Sequence, residues 1–249
     1  MTPSRRAPLL ACLALWLAGP ARAQVGAAGW RAAGFSDVTV TELSLDAYYA
    51  GAPRFEAAGA LELRLLLLRG SGWTEGQARD LVAQVADVYS QCGVRLSRAE
   101  LVEAVAPGGR TRFSKYDAAS PDSLNALARL VPSGPKPLLY LFAGFTDAAD
   151  DAAFSRADFD EPPSPADGPR DPALFDSAFL PAGLNSPAYR AEHGAYSTAA
   201  HELWHVLTRE GQHYDETPHH LGNIWRDRTN AITARDCRLI LANPLVRRL

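Results

Sequence analysis

The sequence predicts an α+β domain. Strand-like runs at 36–43 and 61–68 come before a long helical pattern at 74–93, an all-apolar run follows at 136–145, and a helix closes the chain. That order, strands and helices in succession with one long loop between them, is how an α+β domain reads.

The chain has 249 residues and opens MTPSRRAPLLACLALWLAGPARAQ. A basic start (Arg5, Arg6), an apolar run from Ala7 to Ala18 and an Ala21-Arg22-Ala23 cleavage pattern make residues 1–23 a secretory signal peptide, too short to span a membrane. Ser4-Arg5-Arg6 and the stretch before Cys12 only faintly resemble twin-arginine and lipid-attachment signals. The expected destination is secreted or periplasmic. Residues 24–249 are enough for one domain with a substantial core, and no later stretch is apolar enough for a membrane helix. Net charge is −3, so no nucleic-acid surface is expected. Only two lysines occur, Lys115 and Lys136. After cleavage Cys92 and Cys237 are the remaining cysteines, and an oxidising compartment predicts a bridge between them.

SDVTVTEL (36–43) alternates as a half-buried strand does, and LELRLLLL (61–68) is a stronger strand pattern. In 74–93, Thr74 can cap a helix whose apolar residues include Leu81, Val82, Val85, Val88, Tyr89 and Cys92, with Gly93 as the stop. VRL (94–96) reads as a short strand. SPDSLNALARL (120–130) reads as a helix capped by Ser120 with Pro121 in its first turn. KPLLYLFAGF (136–145) suits a buried strand. From 146 to about 190, Asp, Pro and Ala dominate and a long surface loop is expected, with Asp147, Asp150, Asp151, Asp158 and Asp160 as solvated charge. The last helix runs from Thr233 to Ala242 and stops before Pro244.

HELWHVLTREGQH (201–213) carries the chemistry. His201 and His205 lie four apart, so on a helix both rings leave the same face and can reach one zinc ion. Glu202 is placed to act as general base on a water that the metal acidifies. A catalytic site needs a third protein ligand, and the candidates are His213, Asp215, Glu216, His219 and His220. Gly211 favours His213, since a glycine after the helical pattern lets the chain turn back. Residues 217–249 contain no Glu, which argues against a ligand from a distant second helix; Asp227 and Asp236 read as surface salt-bridge partners.

This region resembles the zincin metallopeptidases, in particular the metzincin branch, whose members carry HExxHxxGxxH followed by a methionine-containing turn. HELWH supplies two histidines and the glutamate, Gly211 and His213 resemble the later Gly and His, and GNIW (222–225) followed by TARDC resembles the methionine turn and closing helix. The resemblance covers about 197–242. It implies a small twisted mixed sheet with a long helix, an active-site helix, and a short C-terminal subdomain ending in a helix. It also implies that an edge strand, FDSAFLPAG (175–183) here, pairs with an extended substrate. The chain departs from the pattern in its longer gaps to Gly211 and His213, so that the helix is expected to run about one turn, ~5 Å, further. Trp204 and Trp225 replace the usual small residue and methionine.

The expected function is a secreted zinc endopeptidase acting on peptides or proteins, with one zinc held by His201, His205 and His213, and Glu202 as base. Tyr214, His219 and His220 are nearby groups for holding an oxyanion. The alternative is a non-catalytic, zinc-stabilised binding module, in which Trp204 and Trp225 fill the cleft or His219 closes the metal site.

Overall fold

The computed structural model describes residues 25–50, 55–148, 153–156, 171–186, 188–189, 191, 194, 196–211, 220–222 and 229–249. The expected signal peptide lies outside them. Helix α1 (Ala27–Ala32) leads into strand β1 (Ser36–Glu42), and helix α2 (Asp46–Ala50) precedes β2 (Gly59–Leu68). Helix α3 (Glu75–Ser90) starts on a capping box: the Thr74 hydroxyl accepts the Gln77 N–H, and the Gln77 side chain accepts the Thr74 N–H. Strands β3 (Val94–Val105) and β4 (Arg112–Phe113), helix α4 (Leu124–Leu130), and strands β5 (Leu138–Phe142), β6 (Gly144–Phe145), β7 (Phe154–Arg156) and β8 (Ser177–Pro181) follow. Helices α5 (Thr198–Thr208) and α6 (Ala234–Ala242) and strand β9 (Val246–Arg248) complete the described chain.

The sheet has seven strands in the order β1-β3-β2-β5-β8-β7, with β9 joining the start of β2. Strands β3, β2, β5 and β8 are parallel; β1, β7 and β9 run antiparallel to their neighbours. The architecture is therefore the α+β one expected, with a mixed sheet covered on both faces. Strand β2 shows why: Leu61, Leu63, Leu65 and Leu67 pack on one face with α3, α5 and α6 residues, while Leu66 and Leu68 pack on the other with Trp30 and Leu127. A strand buried on both sides needs a nearly continuous apolar run. Two charges interrupt it: Glu62 is half-buried, and Arg64 is buried beside Glu100 at 2.8 Å and donates to the Pro132 carbonyl. Gly134 lets the guanidinium lie this close to the backbone: a Cβ there would sit 1.5 Å from the Arg64 Nη2 and displace the side chain.

Three expectations change. The strand expected at 94–96 extends to Val105; Arg95, Arg98, Glu100 and Glu103 hide it, and the fold supplies their partners, Glu42 of β1 for Arg98, Arg64 of β2 for Glu100, the Tyr49 ring for Arg95 and Arg69 for Glu103. The helix expected from 120 starts at Leu124, because Ser123 is the cap that accepts the Ala126 N–H, leaving Ser120 and Pro121 in the preceding turns. The loop expected over 146–190 contains β7 and β8. Strand β8 is buried throughout and lies between β5 and β7, so 175–183 is interior and β7 takes the edge.

Candidate metal centre

Helix α5 carries the HELWH segment. Ser197 caps it, its hydroxyl accepting the Ala200 N–H at 3.2 Å. Every residue from Ala199 to Thr208 is buried, so the helix passes through the core and does not lie on it. Tyr89 of α3 donates its hydroxyl to the Ala200 carbonyl at 2.8 Å, tying the two helices.

His201 and His205 project together. The Nδ1–H of His201 donates to the Leu221 carbonyl at 2.8 Å, and that of His205 to the Glu210 carbonyl at 2.6 Å. A carbonyl only accepts, so both rings carry their proton on Nδ1 when neutral, and both Nε2 atoms present lone pairs. Those two Nε2 atoms face each other at 3.2 Å. Two lone pairs so close repel unless a cation stands between them. Two ligands at 2.0–2.1 Å from a tetrahedral metal are separated by about 3.3 Å, so the pair fits a zinc ion.

Glu202 is buried on the β7 side of the helix. Burial pushes its carboxyl up to about 7, against the hydrogen bond from the Ser155 hydroxyl and the pull of the Lys115 ammonium. Residue 115 is itself fixed by an unexpected anchor. Asp147, expected as solvated charge, accepts the Ser114 hydroxyl and the N–H groups of Lys115, Tyr116 and Asp117. Burial alone would raise its carboxyl, but these four donors lower it to about 2.

The end of α5 differs from the expected longer helix. It stops at Thr208, and Arg209, not Gly211, takes the left-handed conformation at φ 59°. The turn comes early because its carbonyls are capped from elsewhere: Asn243 Nδ2 donates to Val206 and Leu207 carbonyls at 3.2 and 2.9 Å. The Thr208 hydroxyl also accepts the Glu210 N–H, and Arg235 pairs with Glu210 at 2.6 Å. Glu210 is thereby held with its carbonyl towards His205.

His220, weighed as an alternative ligand, has both ring nitrogens engaged in the fold. Its Nε2–H donates to Asp236 Oδ2 at 2.6 Å and its Nδ1 accepts the Gly222 N–H at 2.8 Å, leaving neither for a metal. Asp236, expected at the surface, is fully buried, and its carboxylate also accepts the Thr233 hydroxyl and N–H at the start of α6. Burial raises the Asp236 carboxyl, but the bonds from His220 and Thr233 outweigh it and hold it below the ordinary value. Trp204, expected as a possible filler of the cleft, is fully buried in the core with Leu203, Leu207 and Leu221. Its ring packs 5.6 Å from His220, and a Cβ on Gly222 would meet it at 2.9 Å. The signal for this arrangement was present as Thr233-x-x-Asp236, a capping-box pattern.

Cys92 and Cys237 are joined as a disulfide, with Cα atoms 4.9 Å apart. Gln91 beside it donates to the Asn230 carbonyl and accepts the Ile232 N–H, so the end of α3 is fastened to the segment that starts α6. His213, Asp215, Glu216, His219, Tyr214 and Trp225 lie outside the described residues. Among the described residues no third His, Cys, Asp or Glu joins His201 and His205.

No protein-family model matches the chain, and no curated protein matches it. Among solved structures it is similar to metalloproteinase-II from Bacteroides fragilis, at 15% identity and a TM-score of 0.45 over 80% of this chain. The chain spans 61% of that protein's length. It is also similar to an archaemetzincin from Methanopyrus kandleri, at 14% identity and a TM-score of 0.45, covering 77% of this chain and 98% of that one.

Proposed function

We propose that this chain is an exported zinc-dependent peptidase. The reading is carried by one observation: two histidine Nε2 atoms 3.2 Å apart, both with Nδ1–H bound to a backbone carbonyl. His201 and His205 are the proposed metal ligands, and His213 is the proposed third. Zinc in such a site supplies Lewis acidity, acidifying a water and polarising a carbonyl. Glu202 accepts the proton of the attacking water and returns it to the leaving amine nitrogen, so that the peptide C–N bond breaks and the free amine and acid are released. The edge of β7 offers backbone groups with which an extended peptide can pair beside Glu202. Export rests on the signal-peptide pattern of residues 1–23.

The test is Glu202→Gln in the mature protein. It keeps zinc while losing peptide hydrolysis by at least ~100-fold, the scale of a lost general base. A variant that still cleaves at the wild-type rate removes Glu202 from the mechanism.

A further inference from the structure

Strand β7 is the outermost strand of the sheet, and among the described residues its outer edge pairs with no other strand. Its three residues alternate. Ser155 touches the Glu202 carboxylate, whereas Phe154 turns to the opposite face and stacks on Phe179 at 4.7 Å. Two cations gather on that Phe154 ring. The Lys115 Nζ lies 4.7 Å from its centroid, and the Arg156 guanidinium carbon 5.1 Å. Lys115 also lies 5.3 Å from the Tyr116 ring and 5.5 Å from that of Phe145.

Lys115 differs from an ordinary surface lysine in three ways. Its backbone N–H is bound by Asp147, which also holds the next two N–H groups, so the stem begins from a fixed point. The ammonium rests among three rings, each favouring a cation by about 0.5–1 kcal/mol at partly exposed sites. Among the described residues no carboxylate lies within ion-pair distance of it and no acceptor is bound to it. The chain has only one other lysine and a net charge of −3, so this positive spot is not part of a generally basic surface. A preorganised cation beside a strand edge that pairs with no other described strand is a receptor for an anion carried by whatever pairs there.

We propose that Lys115 forms a carboxylate subsite at the edge of β7, so that the protein selects peptides bearing an acidic side chain or a chain-terminal carboxylate close to the scissile bond. This names the substrate class of the peptidase proposed above and rests on that reading. The carboxylate binds the Lys115 ammonium beside the Phe154 ring, while the neighbouring backbone of the peptide faces Ser155 and Glu202.

The experiment uses zinc-loaded mature protein and pairs of fluorogenic peptides that differ only by Glu or Gln, with the residue moved through successive positions. Each pair is made with an amidated and with a free C-terminus. At one position the Glu peptide should show about tenfold higher kcat/KM, mostly through KM, and the advantage should shrink with added salt. Lys115→Met should bring the Glu and Gln peptides to equal kcat/KM, and the readout is the Glu-to-Gln ratio because the same ammonium also acts on Glu202; Lys115→Arg should keep the ratio and Lys115→Glu should reverse it. An advantage confined to free C-termini identifies the terminal carboxylate as the source, and one that survives amidation identifies the acidic side chain. Equal cleavage of both members by the wild type overturns the proposal. So does a Lys115→Met variant in which both activities change by the same factor and the Glu-to-Gln ratio stays at the wild-type value, because the cation then acts on Glu202 alone. Anisotropy with the same peptides and the Glu202→Gln protein separates this inference from the peptidase reading. If the wild type cleaves nothing yet the Glu peptide binds about tenfold tighter in a Lys115-dependent way, the subsite stands and the hydrolysis fails. If neither cleavage nor binding shows the contrast, the subsite is wrong.

Discussion

The hydrogen on each Nδ1 of His201 and His205 decides what the pair can do. By binding a carbonyl, it leaves the facing Nε2 atoms basic, and one turn of helix sets their separation. The two carbonyls have different sources. Leu221 belongs to the turn held by His220, and Glu210 follows the left-handed Arg209. Arg209 at φ 59° is a non-glycine residue in a region where a Cβ costs about 1 kcal/mol. Arg209→Gly, which keeps that turn without the Cβ, should stabilise the protein by about 0.5–1 kcal/mol in denaturant titration. A loss of stability would mean that the arginine side chain contributes more than its backbone costs. The motif residues were legible in sequence because spacing alone puts two histidines on one helix face. The turn was not, because Asn243, more than thirty residues on, caps the helix and makes a glycine unnecessary.

At the scale of elements, a buried polar chain runs from the start of α6 to His201. Thr233 and His220 bind Asp236, Gly222 binds His220, and the Leu221 carbonyl between them receives the His201 Nδ1–H. Removing the shared acid leaves His220 and Thr233 without their acceptor. Asp236→Ala should therefore lower stability by about 2–3 kcal/mol and weaken zinc binding about tenfold or more, measured by denaturation and by competition with a chelator. Since the Asp236 carboxyl lies below its ordinary value in the fold, its stabilisation is fully present above the usual carboxylate pKa and fades as pH falls through the depressed one. The variant should show a shallower loss of stability over that acid range. An unchanged acid limb and unchanged zinc affinity would cut this chain out of the account. A capping box could be read from Thr233 and Asp236, but burial of the acid could not, because the histidine that pays for it folds in from sixteen residues away.

Across the whole molecule, the disulfide and the mixed sheet bring the site's supports together. The Cys92–Cys237 bridge closes a separation of 145 residues, worth about 4–5 kcal/mol in the chain-entropy model, and fixes α3 to the start of α6. Its pairing was legible because only two cysteines follow the signal-peptide pattern, and two cysteines have one possible pairing. The strand order was less so: β3 was obscured by charges that its neighbours accommodate, and β7 by its three-residue length within an Asp- and Pro-rich stretch. The central claim is that this scaffold brings two imidazoles to one metal ion. It is tested most directly by elemental analysis of the dialysed mature protein beside a folded His201→Ala, His205→Ala variant. The account predicts about one zinc per wild-type chain and none in the variant. A wild-type protein that stays folded without zinc and takes none up, or a variant that keeps the metal, would contradict it.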